Sequence, residues 1–193
     1  MSPESHGRFF EDFEPGEVIQ HALGRTVTQT DNIWFTLLTN NPNPIHFDSE
    51  YAKKTEFKQP LVNSCFTLAL IMGLSVEDIS RNAVNLGWEG VELPAPVFEG
   101  ETLYAQTEVL EKRESKSRPH MGIIRVKTTG YKHDGTVVIR FQRAVMVYKK
   151  AYASYAGRQH KCKFFGCVDF NMAWRFWKKN KTNKPCTGLQ RRI

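Results

Sequence analysis

The chain predicts an α+β fold: a single domain in which one antiparallel sheet wraps around a long central helix. Three observations carry that expectation. The segments Val18 to Val27, Thr102 to Arg113, Gly122 to Tyr131 and Thr136 to Tyr148 are rich in β-branched and aromatic residues, and alternation is clear in Ile139-Arg140-Phe141-Gln142-Arg143. The run Cys65 to Leu74 is apolar nearly all round, which describes a helix buried on most sides. A length of 193 residues with 40% hydrophobic content suffices for one good core.

Taken in chain order, the first strand is followed by a helix. Asp31 can cap a short helix from Asn32 to about Thr39, with Ile33, Trp34, Leu37 and Leu38 at helical spacing for one buried face. That helix stops before Pro42 and Pro44. Each proline fixes its own φ and pushes the residue before it out of the α region, so Asn41 and Asn43 are held extended ahead of His46. Asn63 or Ser64 then caps the apolar helix. The remaining segments are strands joined by turns: Lys116-Ser117-Arg118-Pro119 makes a longer one, and Asp134-Gly135 makes a tight hairpin between the last two strands. No internal repeat is evident.

Charge is unevenly distributed. Residues 151–193 hold ten Lys or Arg and one acid, Asp169, a net +9, whereas the other seventeen basic and nineteen acidic residues leave −2. The composition break after Lys150 therefore divides a domain over 1–150 from a basic tail over 151–193, which is expected to be poorly ordered and dispensable. His160, Cys162, Cys167 and Cys186 are spaced too irregularly to specify zinc, so no metal is expected. Trp174, Phe176 and Trp177 beside Arg175, Lys178 and Lys179 would suit an acidic surface, but no nucleic-acid partner is expected. No run approaches the roughly 18 to 20 apolar residues of a membrane span, and no leader is evident. A cytoplasmic protein of a reducing compartment is expected.

The stretch Asn41 to Asp48 sets an imidazole and two amides around rigid turns just before the apolar helix, an arrangement suited to acid/base chemistry. Asn-Pro pairs are also ordinary loop punctuation, and a solvated histidine in a turn fits the same eight residues. The neighbours favour the first reading. Asn41-x-Asn43-Pro44-x-His46, followed by Tyr51-Ala52, Gln59-Pro60-Leu61-Val62-Asn63-Ser64 and the apolar run, resembles the MaoC-like dehydratase and R-specific enoyl-CoA hydratase family. The opening Gly7 to Phe13, the stretch Pro96-Val97-Phe98-Glu99-Gly100-Glu101-Thr102-Leu103 and the closing strands extend the likeness over roughly residues 8 to 149. Thr36-Leu37-Leu38-Thr39 with Ile45-His46-Phe47-Asp48 looks most like its mesaconyl-CoA hydratase branch.

That resemblance implies a hot-dog fold, a homodimer, and a lyase acting on an acyl-CoA thioester without a cofactor beyond the CoA of the substrate. Hydrating an enoyl thioester needs a base for water, an acid for the α carbon, and donors for the thioester oxygen as it gains enolate charge. By the resemblance His46 transfers the proton, Asn41 and Asn43 position water or substrate, and Ser64 N–H stabilises the enolate. Asn63 and Cys65 flank that donor at the helix start, where unpaired N–H groups and the helix dipole favour negative charge. Arg113, Lys116 and Arg118 could meet the CoA phosphates, although such a run is also a common solvated turn. Cys65 reads as a small apolar core residue.

One position departs from the family: its aspartate falls on Asn41, and an amide cannot take a proton at neutral pH. His46 then works alone, or Asp48 or Asp31 assists it, or the chain is a non-catalytic acyl-CoA or acyl-carrier binding module. A thioesterase of the same fold is a third reading, and would need a carboxylate base.

Overall fold

The computed structural model describes residues 7–153. The tail beyond Ala153, with its cysteines and aromatics, lies outside the described residues. Within them an antiparallel sheet has the order β1-β4-β5-β6-β3, with β2 beside β4. Its strands are β1 (Val18–Gln20), β2 (Arg25–Thr26), β3 (Ala83–Glu92), β4 (Thr102–Glu114), β5 (Met121–Lys132) and β6 (Val137–Tyr148). Three helices, α1 (Gln29–Leu38), α2 (Ser49–Ala52) and α3 (Ser64–Leu74), fall between β2 and β3. No helix among the described residues is long and apolar enough to cross a membrane.

The long meander β4-β5-β6 is what alternation predicted. Leu103, Ala105, Thr107 and Val109 of β4 are fully buried in alternate positions, so one face of the strand is core. The Asp134-Gly135 turn also forms as expected: Gly135 takes a φ of 86°, and Asp134 Oδ1 accepts the Thr136 N–H at 2.9 Å.

The central helix lies on this sheet through a contact that only glycine allows. A Cβ built on Gly130 of β5 would sit 2.6 Å from Ile71 Cγ1 of α3, so the missing side chain lets the helix come down onto the strand. Around Ile71 the core gathers Val27, Val62, Val97, Leu103 and Phe141, while a second cluster of Phe10, Phe13, Ile79, Val109 and Val126 fills the other end of the sheet. The segment following α3 is pinned by buried polar groups. Arg143 Nη2 donates to Ser75 Oγ at 2.6 Å, and burial lowers the pKa of this guanidinium to about 10. His21 Nδ1 lies 2.7 Å from Asp78 Oδ2 and its Nε2 lies 2.8 Å from Thr107 Oγ1; burial outweighs Asp78 and lowers its pKa, favouring the neutral ring.

Several expectations are corrected. The segment Val18 to Val27 is two short strands: His21 turns inward to Asp78, and Gly24 packs so closely on Tyr104 that a Cβ would meet the ring at 2.4 Å. The strand Ala83–Glu92 escaped notice because Gly87 and Gly90 interrupt its β propensity. The first helix begins at Gln29 and is capped by Thr28, whose hydroxyl oxygen accepts from Asp31 N at 3.2 Å. Its apolar stripe faces outward: Trp34, Leu37 and Leu38 are exposed, while Asn32 and Thr36 are the buried pair. Cys65 is exposed rather than core. The composition break after Lys150 falls at a one-turn helix, Lys150–Tyr152, whose first residue donates its N–H to Glu11 Oε2 at 2.9 Å; the division into domain and tail itself is neither upheld nor overturned by this contact.

Gly130→Val would overpack the helix–sheet contact and is expected to cost about 1–3 kcal/mol, lowering the urea midpoint with an unchanged m-value. A variant as stable as the parent would mean that α3 does not rest on this strand.

Candidate active site

The loop carrying the histidine is locked at both ends by asparagines. Asn40 adopts a φ of 52° just after α1, and the bonds Asn40 N–H to Leu37 O (3.1 Å) and Asn41 N–H to Thr36 O (3.0 Å) close the helix in a Schellman arrangement. Two side-chain turns follow in series: Asn41 Oδ1 accepts from Asn43 N at 3.0 Å, and Asn43 Oδ1 accepts from Ile45 N at 3.2 Å. The second is the cap of a single 3-10 turn, Pro44–His46, with proline at its first position. Both amides thus spend their oxygens on the loop itself, which leaves their N–H groups for water or substrate.

His46 is buried, with 8% of its surface exposed. Its Nδ1 lies 2.7 Å from Leu61 O. A carbonyl oxygen only accepts, so Nδ1 carries the hydrogen and Nε2 keeps the lone pair of the neutral ring. Geometry therefore selects the tautomer able to take a proton at Nε2.

One residue that sequence reasoning passed over holds these parts together. The Asn32 side chain is fully buried; its Nδ2 donates to His46 O at 2.9 Å and Leu61 O at 3.1 Å, and its Oδ1 accepts from Asn63 N at 2.9 Å. Glu99 Oε1, half-buried, lies 3.4 Å from the same Nδ2. Asn63, 3% exposed, in turn caps α3 by accepting from Cys65 N at 3.0 Å and donates Nδ2 to Thr36 Oγ1 at 3.3 Å. The available sequence signal was an Asn and a Thr four residues apart, and so on one face, of the first helix.

This cap decides which donors remain. The Cys65 N–H is taken by Asn63, whereas the Ser64 N–H, at the first position of α3, stands at the dipole's positive end. Ser64 and Leu61 also line a cavity of about 270 Å³ with Phe57, Val62, Thr67, Leu93 and Val97. Leu61, whose carbonyl supports the histidine, and Ser64 therefore border one pocket, and His46 itself is not among its lining residues.

Other candidates lie elsewhere. Arg113 is eleven residues along β4 from Thr102, about 36 Å at roughly 3.3 Å per residue, and the turn holding Lys116 and Arg118 lies beyond it. Thr102 follows directly on the Glu99 stretch, so within one chain these cations are at the end of the sheet away from His46, where Arg118 Nη1 reaches Met146 Sδ at 3.6 Å. Asp48 caps α2 through Tyr51 N at 2.9 Å. Asp31 forms two 2.9 Å bonds to Arg25, and that guanidinium, with Thr28, holds its carboxyl far below the usual carboxylate range. Neither acid is directed at the imidazole. No cluster of metal-ligating side chains occurs among the described residues.

Comparison with known proteins identifies the family and the fold. A family model described as mesaconyl-CoA hydratase matches residues 2–164, past the composition break after Lys150. A mesaconyl-CoA hydratase from Cereibacter sphaeroides is 35% identical over 151 residues, covering 78% of this chain and 44% of the relative. A MaoC domain protein dehydratase structure from Chloroflexus aurantiacus superposes with a TM-score of 0.73 at 31% identity, over 78% of this chain and 43% of that one. A double hotdog protein from Mycobacterium tuberculosis shares the fold, with a TM-score of 0.69 at 22% identity, 76% of this chain and 46% of its own. The chain thus spans less than half the length of these relatives.

Replacing Asn32 by Leu would leave two carbonyls and the Asn63 N–H buried without their partner, at about 1–3 kcal/mol for each group that water cannot reach. A fall in melting temperature together with lost turnover is expected. Full activity in a stable Asn32→Leu protein would remove this amide from the architecture of the site.

Proposed function

The chain belongs to the mesaconyl-CoA hydratase family of hot-dog proteins, and from that membership and the site geometry we propose that it adds water reversibly to the double bond of a 2-enoyl-CoA thioester. The observation that carries this reading is His46 with Nδ1 tied to Leu61 O, beside a pocket that also presents Ser64 at the start of α3. His46 Nε2 takes a proton from water as the oxygen bonds to C3. The C2=C3 electrons move toward the thioester oxygen, where Ser64 N–H and the α3 dipole meet the growing charge; such a donor is commonly worth about 3–4 kcal/mol. The imidazolium then returns its proton to C2. Asn41 and Asn43, their oxygens fixed in turns, present N–H groups to hold the water. The steps need only protein groups and the substrate's own CoA.

A second copy of the chain is part of this proposal. Strand β3 ends the sheet, and Val84, Leu86, Trp88 and Val91 along it are about half exposed. An edge this long and apolar invites another strand, and the outward Trp34, Leu37 and Leu38 of α1 add a further uncovered face. The double hotdog neighbour, about twice the matched length, supports a pair of such units.

His46→Ala is expected to cut hydration by about 10²–10⁴-fold while CoA-ester binding persists. Because the Asn41 turn uses only a side-chain oxygen, Asn41→Asp keeps the loop and restores a carboxylate, and turnover should hold or rise on uncharged substrates. Wild-type turnover in His46→Ala would end the assignment.

Leu86→Lys combined with Trp88→Lys should halve the mass seen by sedimentation velocity, since charge on an edge strand opposes pairing. A parent chain that sediments as a monomer would refute the dimer.

A further inference from the structure

A chain of buried hydrogen bonds lies beyond the C-terminal end of α3, opposite the end that Asn63 caps. His21 Nδ1 is 2.7 Å from Asp78 Oδ2, its Nε2 is 2.8 Å from Thr107 Oγ1, and Thr107 Oγ1 is 3.0 Å from Thr128 Oγ1. The imidazole and both threonines are fully buried. An ionised carboxylate only accepts, so Nδ1 carries a hydrogen toward Asp78; in the neutral ring Nε2 then accepts from Thr107, whose oxygen accepts from Thr128. Every hydrogen in the chain has an acceptor.

A proton added at Nε2 breaks that order. Two hydrogens then meet between Nε2 and Thr107 unless both hydroxyls reverse, and reversal leaves the Thr128 hydrogen without an acceptor among the described residues. Charge opposes the proton as well. β6 places Arg143, 2% exposed, close enough to act on the ring; its Nη2 donates to the neutral Ser75 Oγ, and its Nε is buried without a hydrogen-bond partner. β4 and β5 face the ring with hydroxyls, which leaves Asp78 as the carboxylate acting on it. Burial lowers the His21 pKa, Asp78 opposes that shift and Arg143 adds to it.

The ring holds the turn Val76–Ser80, which follows α3 and carries Asp78 beside the buried Ile79. We propose that His21 and Asp78 form an acid-released latch between the sheet and this turn, so that a proton on His21 unfastens the turn, exposes Ile79 and frees the end of α3. An opened turn lets the imidazole protonate in water at about pH 6.5, which the closed latch resists, and this difference drives opening. The hold is therefore complete well above pH 6.5 and weakens as pH falls below it, until the closed ring also takes a proton. α3 carries Ser64 at its other end, so the latch gives acid a route to the site.

Hydrogen exchange of the full chain tests this, read by mass spectrometry on peptides covering 75–82 and corrected for the intrinsic pH dependence of exchange. Opening of the turn should rise about five- to tenfold from pH 7.5 to 5.5, the response to one proton taken up on opening, at an opening constant larger than that of β4, β5 and β6. His21→Gln, whose amide can donate to Asp78 and accept from Thr107 without titrating, should change by less than about twofold over the same range. Equal opening of the parent turn at both pH values would overturn the latch, as would a full pH response kept by His21→Gln. Turn amides that exchange only together with those of the central strands would also overturn it, because acid would then unfold the whole domain. Should His21→Gln fail to fold, NMR titration of the parent decides: a ring still neutral below pH 6.5 while the turn is protected upholds the latch, and a ring that protonates at or above that pH with the turn protected refutes it.

Discussion

The site depends on one buried amide. Asn32 joins α1 to two stretches of backbone elsewhere in the sequence: the histidine turn through His46 O, and the segment entering α3 through both Leu61 O and Asn63 N–H. An amide suits this position because it both donates and accepts, whereas a carboxylate or an aliphatic chain of the same size would leave at least one of these groups unpaired. Each unpaired group would cost more than a single hydrogen bond gives, since it has no access to water. The imidazole and the helix start are thus held relative to each other by the same side chain. Neither could shift without breaking a bond to Asn32.

The far end of α3 is fixed by different means. Gly130 sets how close the helix comes to the sheet, and the buried Arg143–Ser75 and His21–Asp78 contacts hold the segment that follows it. Burying an arginine and a histidine is expensive, and Arg143 Nε is buried without a hydrogen-bond partner, so these contacts specify one placement of the helix end rather than adding much net stability. A helix seated on glycine at its middle and tied at both ends by polar side chains presents its first N–H in a fixed direction. Preorganisation of that kind is what a donor to a developing enolate requires.

Legibility in the sequence followed how local each cause was. The meander β4-β5-β6 and the Asp134-Gly135 turn could be read because alternation and turn chemistry act between neighbours. That His46, Asn43 and Ser64 lie close to one another could be read from a compact motif next to an apolar run. Asn32 and Glu99 were not, because their meaning lies in contacts 14 to 67 positions away. The outward stripe of Trp34, Leu37 and Leu38 misled for a related reason: helical spacing shows that an apolar face exists, but not whether this chain or another surface covers it. Strand β3 combined both problems, with glycines that weaken its local signal and half-exposed apolar side chains at the end of the sheet.

The asparagine at position 41 acquires a physical reading from the loop. Its oxygen serves a turn, a role that either an amide or a carboxylate fills, so the fold of the loop does not decide between them. Chemistry does not strictly require the carboxylate either. In the proposed hydration the proton removed from water equals in number the proton returned to C2, so one imidazole can accept and then deliver it with no net transfer to solvent. What the amide changes is charge: a loop without a carboxylate leaves His46 as the sole titrating side chain between Asn41 and Phe47, and adds no repulsion toward the enolate at Ser64. On the proposed reaction, the neutral amide pair and the single imidazole leave negative charge to be accommodated in one place, the thioester oxygen at the start of α3.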